Sequence, residues 1–319
     1  MQINYDVKKS IRGAFGDELK ALGEINPNIV ALDADLSGST KSSVFAKAFP
    51  ERFFNVGIAE QNLITTAVGL SLTGKIPFVS TFAMFATGRT YDQIRNSVCY
   101  QKANVKIIGA HGGLTVGEDG ASHQALEDVA LMRELPNMVV ITPSDYEQCR
   151  QAVRFAANHN GPVYIRLSRV DVPTVFDESY KFDVNKAVVW YNGGPDTPDL
   201  TLIGTGDIFG EVVEAGLNLV AHGIKAQIIQ VPVIKPLDSA TIINCASKTG
   251  LVVTVENHSV IGGLGSAVCE CLSESLPIPV VRIGVNDTFG QSGTPKELLR
   301  YYGLDAESIE NRIIEIIKK

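Results

Sequence analysis

Two of the chain's five histidines fall in one fourteen-residue stretch, HGGLTVGEDGASHQ, beginning at His111 and including His123. The stretch also holds four glycines and the acids Glu118 and Asp119, and it follows directly on the apolar run VKIIGA. Long glycine-rich loops are uncommon in compact domains unless they carry function. Two histidines and Asp119 could begin a metal site, but no second cluster of carboxylates completes one. Hydrogen bonding to a polyhydroxylated ligand suits imidazoles, a carboxylate and exposed backbone better.

Other candidates lie upstream and downstream. Glu60, in NVGIAEQN, stands between the strand-like FFNV and an apolar helical pattern, where a carboxylate is either a helix-start charge or a buried acid with a task. Phe82 and Phe85, in STFAMF, follow an apolar run and sit one helical turn apart, as either a core pair or a flat wall for a ligand. Arg12 opens the first helical pattern, and Arg166 and Arg169 close the run VYIRL. An arginine at a strand exit can hold a phosphate bidentately or serve as a surface ion-pair partner. Two glycine clusters complete the set. Gly204-Thr-Gly206-Asp-Ile-Phe-Gly210 is one residue too long for a dinucleotide fingerprint, and no acid closes the next apolar run. It reads as a strand–helix turn. Gly262-Gly263-Leu264-Gly265 reads as a tight turn, or as an anion site at a helix N-terminus.

These residues need a scaffold, and the apolar pattern predicts one. Short continuous apolar runs over 29–32, 76–80, 105–108, 138–141 and 163–167 alternate with helical spacing after Glu60 and over 146–157, the latter behind the N-cap sequence Pro143-Ser144-Asp145. After an Asp-, Pro- and Gly-rich stretch the alternation resumes. Runs over 200–203, 226–231, 251–255 and 280–283 read as strands, with helices over 210–221, 239–246, 265–275 and 306–317. The expectation is an α/β protein of two domains, each a mainly parallel sheet flanked by helices, over 1–170 and 198–319 with a linker over 171–197. A length of 319 residues suits two such domains, and 45% hydrophobic residues exclude a disordered chain. Net charge is −7, from 28 basic and 35 acidic residues, the wrong sign for a general nucleic-acid or membrane-surface binder. Any anionic substrate must be met by a few placed arginines. Five cysteines without a CxxC pair, no signal-like N-terminus and no long apolar span point to a cytoplasmic protein.

In order and spacing, IAEQN, STF-x-x-F, YDQIR, GEDG-x-S-H-Q, LPN, PSD and LSR resemble the C-terminal half of transketolase. That half is a pyrimidine-binding domain of the thiamine-diphosphate fold followed by a smaller, Rossmann-like C-terminal domain, and the resemblance spans nearly the whole chain. It implies thiamine diphosphate as cofactor, with Glu60 hydrogen-bonded to N1′ of the aminopyrimidine and Phe82 and Phe85 as the wall on which that ring stacks. It implies further that His111 and His123 bond the sugar and the reacting group, that Asp119 holds a substrate hydroxyl, and that Arg12, Ser39 and Arg169 hold the substrate phosphate. The implied activity is transfer of a two-carbon ketol unit from a ketose phosphate to an aldose phosphate in the pentose phosphate pathway.

The family's N-terminal domain, which binds the diphosphate and Mg²⁺ through a GDG…Asn signature, has no counterpart here; only Gly117-Glu118-Asp119-Gly120 comes close. The chain is therefore expected to be the separate C-terminal subunit of a split enzyme, inactive alone. Its expected partners are an N-terminal subunit and a second copy of itself, most simply two copies of each, with no metal ligand of its own. The C-terminal domain carries no catalytic motif and is expected to support dimerisation. One departure stands out. The aromatic that many members place three residues after the second Phe falls on Gly88, and ATGRTYDQIR is one residue longer than the animal-like version, which displaces Arg89 and Tyr91. Half of a deoxyxylulose-phosphate synthase, the beta subunit of a 2-oxo-acid dehydrogenase and a non-catalytic regulatory paralogue are the alternative readings. His123 and STFAMF speak against the second of these, and Glu60 against the third.

Overall fold

The computed structural model describes residues 3–194 and 196–318. The first half of the chain lays down β1 (Asn4–Ser10), β2 (Ile29–Asp33), β3 (Phe53–Asn55), β4 (Ile76–Phe82), β5 (Lys106–Ala110), β6 (Val139–Ile141) and β7 (Val163–Arg166). The second half lays down β8 (Asp171–Thr174), β9 (Val188–Tyr191), β10 (Leu200–Gly204), β11 (Ala226–Gln230), β12 (Val233–Lys235), β13 (Val252–Ser259) and β14 (Val280–Val285). Two large, mainly parallel sheets result, each with helices over its faces, beside a two-stranded sheet of β1 and β8. The first has the order β12-β6-β7-β5-β4-β2-β3 and the second β14-β13-β10-β11-β9.

The strands form where β-branched and aromatic residues run without interruption, because both faces of these sheets are covered. β2, β5 and β7 are buried at every position. Helices start where caps are available. Ser10 accepts from the Gly13 amide ahead of helix Ile11–Ile25, and Asp145 accepts from the Gln148 amide ahead of helix Tyr146–Asn158. These two helices cover one face of the first sheet through Phe15, Leu19, Ala152 and Val153. The other face packs Leu63, Ile64 and Ala67 of helix Glu60–Leu72 into a cluster that also contains Ile229, Val231, Leu264 and Val268 of the second domain. The contact between the domains is thus a continuous apolar core.

The stretch expected as a linker contains two strands. β8 pairs antiparallel with β1, and β9 forms the antiparallel edge of the second sheet against β11. The Asp and Pro of β8 (DVPT) outweighed its apolar residues in the sequence pattern, and β9 (VVWY) is a four-residue run set among Asp-, Pro- and Gly-rich segments. A further departure is β12, which lies in the second half of the chain yet pairs antiparallel with β6 on the first sheet. Among the described residues, no helix is long and apolar enough to cross a membrane.

Candidate active site

The expected site residues come from the carboxyl ends of parallel strands in the first sheet, where α/β folds place ligands. β4 ends at Phe82 and turns at once into helix Ala83–Thr87, which brings Phe85 alongside; the two rings are 6.0 Å apart and 17° from parallel. Phe82 is in register with Ala110 on neighbouring β5, so the next residue, His111, lands on the Phe82 ring with a centroid distance of 3.9 Å. His123 returns from the far end of the loop to stand edge-on to Phe85 at 5.4 Å. Register and a single helical turn thus assemble two phenylalanines and two imidazoles.

His111 is 3% exposed and adopts a left-handed φ of +59°. Burial, followed by the positive fields of Arg12 and Arg169, pushes its pKa down to about 3, so the ring is neutral at physiological pH. Its buried Nδ1 has no hydrogen-bond partner among the described residues. An orphaned polar atom in such a place is open to a ligand.

Glu60 is the first residue of helix Glu60–Leu72 and is 2% exposed. Its Oε2 accepts from Arg89 Nη1 at 2.8 Å, and the Arg89 guanidinium lies 4.5 Å from the centre of the Phe85 ring. The main-chain oxygen of Arg89 is held in turn by Gln61 Nε2 at 3.2 Å. Gly88 carries no side chain to this cluster, and Tyr91 points away to Glu134, 3.3 Å from its hydroxyl. Just downstream, Tyr100 N–H bonds Arg95 O at 3.0 Å and Ala103 N–H bonds Val98 O at 2.8 Å, each five residues back. Such a π-type turn holds one more residue than an α-turn.

Arg12, Ser39 and Arg169 also meet. Arg12 Nη1 donates to the Ser39 main-chain oxygen at 2.5 Å and Nη2 to that of Arg169 at 2.8 Å, while its buried Nε has no partner. Burial, then the neighbouring Arg169, lowers the Arg12 pKa. Arg169 donates to Val116 O and lies 3.4 Å from Glu118 and 3.6 Å from Asp119. Arg166, the residue just before LSR, behaves differently from Arg169. Arg166 neither lies on the surface nor reaches the site. It is buried against Asp128, at 2.9 Å, and the same carboxylate takes the Tyr164 hydroxyl at 2.6 Å.

The two glycine clusters resolve as packing devices. A Cβ at Gly204 would lie 2.9 Å from both Phe209 and Val212, so this turn lets a helix close onto its strand. At the other cluster the anion is supplied by the chain. Glu256 accepts the amides of Leu264 and Gly265 at 2.7 and 2.8 Å, and so caps helix Leu264–Ser275 with its own carboxylate. Among the described residues, no group of three or more His, Cys, Asp or Glu is placed to hold a metal ion. Sequence reasoning missed Asp128, Asp207 and Asn257. Their types are ordinary; Asp128 finds Arg166 and Tyr164 on the neighbouring strand of its own domain, while Asp207 and Asn257 meet Leu114 and Thr115 only where the two domains dock.

The family comparisons agree with this geometry. Residues 7–174 match the transketolase pyrimidine-binding domain and residues 194–309 the transketolase C-terminal domain. A Methanocaldococcus jannaschii protein provisionally named a transketolase C-terminal section is 50% identical over 98% of both chains. The 6-deoxy-6-sulfo-D-fructose transketolase subunit of Clostridium sp. (strain MSTE9) is 40% identical over 97% of this chain and 95% of its own length. A solved split-gene transketolase, an inactive beta4 tetramer, is 53% identical and superposes with a TM-score of 0.88 over 96% of this chain and 97% of its own. The chain belongs to the transketolase family of transferases and carries that family's pyrimidine-binding and C-terminal domains.

Proposed function

We propose that this chain is the C-terminal subunit of a split, thiamine-diphosphate-dependent transketolase that moves a two-carbon ketol unit from a ketose phosphate to an aldose phosphate in the cytoplasm. The observation that carries the reading is the stand-in provided by Arg89. A flat, cationic, N–H-rich group already lies over Phe85 with its edge on the buried Glu60 carboxylate. An aminopyrimidine protonated at N1′ offers a similar flat face and an N–H edge, which supports a fit of this pocket to the ring of the cofactor. When bound, thiamine diphosphate supplies the nucleophilic carbon and the electron sink that breaking a ketose C2–C3 bond requires.

The chain's own residues then divide the remaining work. Phe82 and Phe85 stack the ring, and Glu60 holds a proton at N1′ and so biases its tautomer. Neutral His111, with its unpartnered Nδ1, and His123 bond substrate hydroxyls, as does Asp119. Arg12, Arg169 and Ser39 bind the substrate phosphate, and the unpartnered Nε of Arg12 supports that role. The diphosphate and Mg²⁺ are bound mainly by a separate N-terminal subunit, and the active assembly holds two copies of each chain.

The test is reconstitution. The purified chain is mixed with its N-terminal subunit, thiamine diphosphate and Mg²⁺, and offered xylulose 5-phosphate with ribose 5-phosphate. Transfer that requires both subunits is the expected result. Turnover of pyruvate with glyceraldehyde 3-phosphate instead would move the chain to the synthase reading. Parallel trials with 6-deoxy-6-sulfofructose are warranted by the relative named for that sugar. Its sulfonate is an anion that the same two arginines could hold.

A further inference from the structure

The loop over 111–123 carries three of the residues assigned above to substrate, yet glycine occupies four of its positions, and its internal main-chain bonds, such as Gly120 N–H to Gly117 O and His123 N–H to Gly120 O, close only short local turns. Its base is fixed by the first domain. Gly113 N–H bonds Ala125 O at 2.9 Å, and buried Arg166 donates to the same oxygen at 3.0 Å. Beyond the base, Arg169 of the first domain holds Val116 O, and the second domain adds bonds of its own. Asn257, near the end of β13, accepts the Leu114 amide at 2.8 Å through Oδ1 and donates through Nδ2 to Thr115 Oγ1 at 3.2 Å. Asp207, in the turn after β10, accepts the Thr115 hydroxyl at 2.6 Å and Asn257 Nδ2 at 3.2 Å. β10 and β13 are paired neighbours, so both side chains leave the carboxyl end of the second sheet together.

Packing points the same way. Leu114 and Thr115 are 0% and 1% exposed, and Leu114 belongs to the second domain's core cluster with Val255, Val285 and Leu298. A Cβ at Gly113, where φ is +81°, would lie 2.5 Å from Asn257 Nδ2, and one at Gly120 would lie 2.6 Å from Ser292 Oγ. The crevice where a doubly wound sheet ordinarily takes a ligand is filled here by the other domain's loop.

We propose that Asn257, Asp207 and Thr115 form a positioning triad through which the C-terminal domain sets the sugar-binding loop of its own chain. A glycine-rich segment left free would have to be ordered each time substrate bound, at a cost in affinity. Bonds from a rigid sheet remove that cost beforehand. The C-terminal domain is then part of substrate recognition, beyond any role in association. The inference rests on the assignment of His111, Asp119 and His123 to substrate made under the proposed function.

The experiment compares T115V, which removes the hydroxyl at constant shape, with T115S, which keeps it. Both are studied in the holoenzyme reconstituted from this chain, its N-terminal subunit, thiamine diphosphate and Mg²⁺. T115V should raise KM for the ketose phosphate about tenfold, the worth of one hydrogen bond to a charged group. Its kcat should stay within about threefold of wild type, and T115S should restore KM. In the free chain, amide hydrogen exchange at Leu114 and Val116 should quicken in T115V and return to wild type in T115S. Should T115V fail to fold, D207N carries the same comparison with the size kept and the charge removed. A KM unchanged in T115V, or raised equally in T115S, overturns the triad. Absence of ketol transfer in the wild-type complex overturns the functional reading instead, and the exchange measurement then still decides whether the triad sets the loop.

Discussion

His111 ties the chemistry of the site to the stability of the fold. Its pKa, lowered to about 3 by burial and by Arg12 and Arg169, lies below the usual value of 6.5, so the unfolded chain binds the extra proton first. The stabilising contribution is complete above pH 6.5 and is lost as pH falls toward 3. In H111N, with a residue that tolerates the left-handed φ, the stability deficit relative to wild type should be smaller at pH 5 than at pH 7; urea titrations at the two pH values read this directly. Glu60 makes the complementary case for chemistry. E60Q keeps size and hydrogen bonding, so thermal unfolding should barely move, while turnover of the reconstituted enzyme falls by about 10² to 10⁴. A helix-start charge alone would cost about 0.3–1 kcal/mol of stability and little turnover. Motif spacing made Glu60, Phe82, Phe85, His111 and His123 legible as a set, because each follows a strand end or opens a helix. It could not place Arg89, whose reach to Glu60 joins the turn after helix Ala83–Thr87 to the start of helix Glu60–Leu72. Nor could it show that Arg166 points inward, since its partner Asp128 is remote in sequence.

At the scale of elements, the continuous apolar runs gave the parallel strands to within a residue or two at most ends, and helices Ser239–Ala246 and Ala306–Ile317 match their expected bounds. The antiparallel edges were the harder part. β8 reads DVPT and has no unbroken apolar run, β9 is the short run VVWY enclosed by Asp- and Gly-rich segments, and β12 is a three-residue strand whose partner lies in the other domain. The end of β13 shows an element made by tertiary demand. It continues to Ser259 so that Glu256 can cap one helix and Asn257 can reach the first domain. Helix Leu264–Ser275 should therefore be sensitive at its start. A Cβ at Gly263 would lie 2.0 Å from Glu256 Oε2. G263A should accordingly cost about 1–3 kcal/mol by denaturant titration, although φ there is −87° and alanine strains nothing in the backbone itself.

For the whole molecule, the mixed core and the crossing of β12 mean that neither domain is complete alone. One cooperative transition is the expected outcome. Trp190, the chain's single tryptophan, is 6% exposed in the second domain's core, so its fluorescence follows that domain alone. Far-ultraviolet dichroism follows both. The two urea midpoints should coincide, and a separation of them would show that the domains unfold independently.

β12 also imposes an order on synthesis. As the chain leaves the ribosome, the strands of the first sheet appear in the run from β2 to β7, and they can pair as soon as they emerge. The outer edge at β6 stays bare until Val233–Lys235 has been translated, after β9, β10 and β11 of the next domain. During that interval the nascent chain presents Val139–Ile141 as an open, apolar strand edge, the kind of surface that recruits a neighbouring chain. Slow translation or a pause over 175–232 would lengthen the exposure, and a chaperone bound there would shorten it.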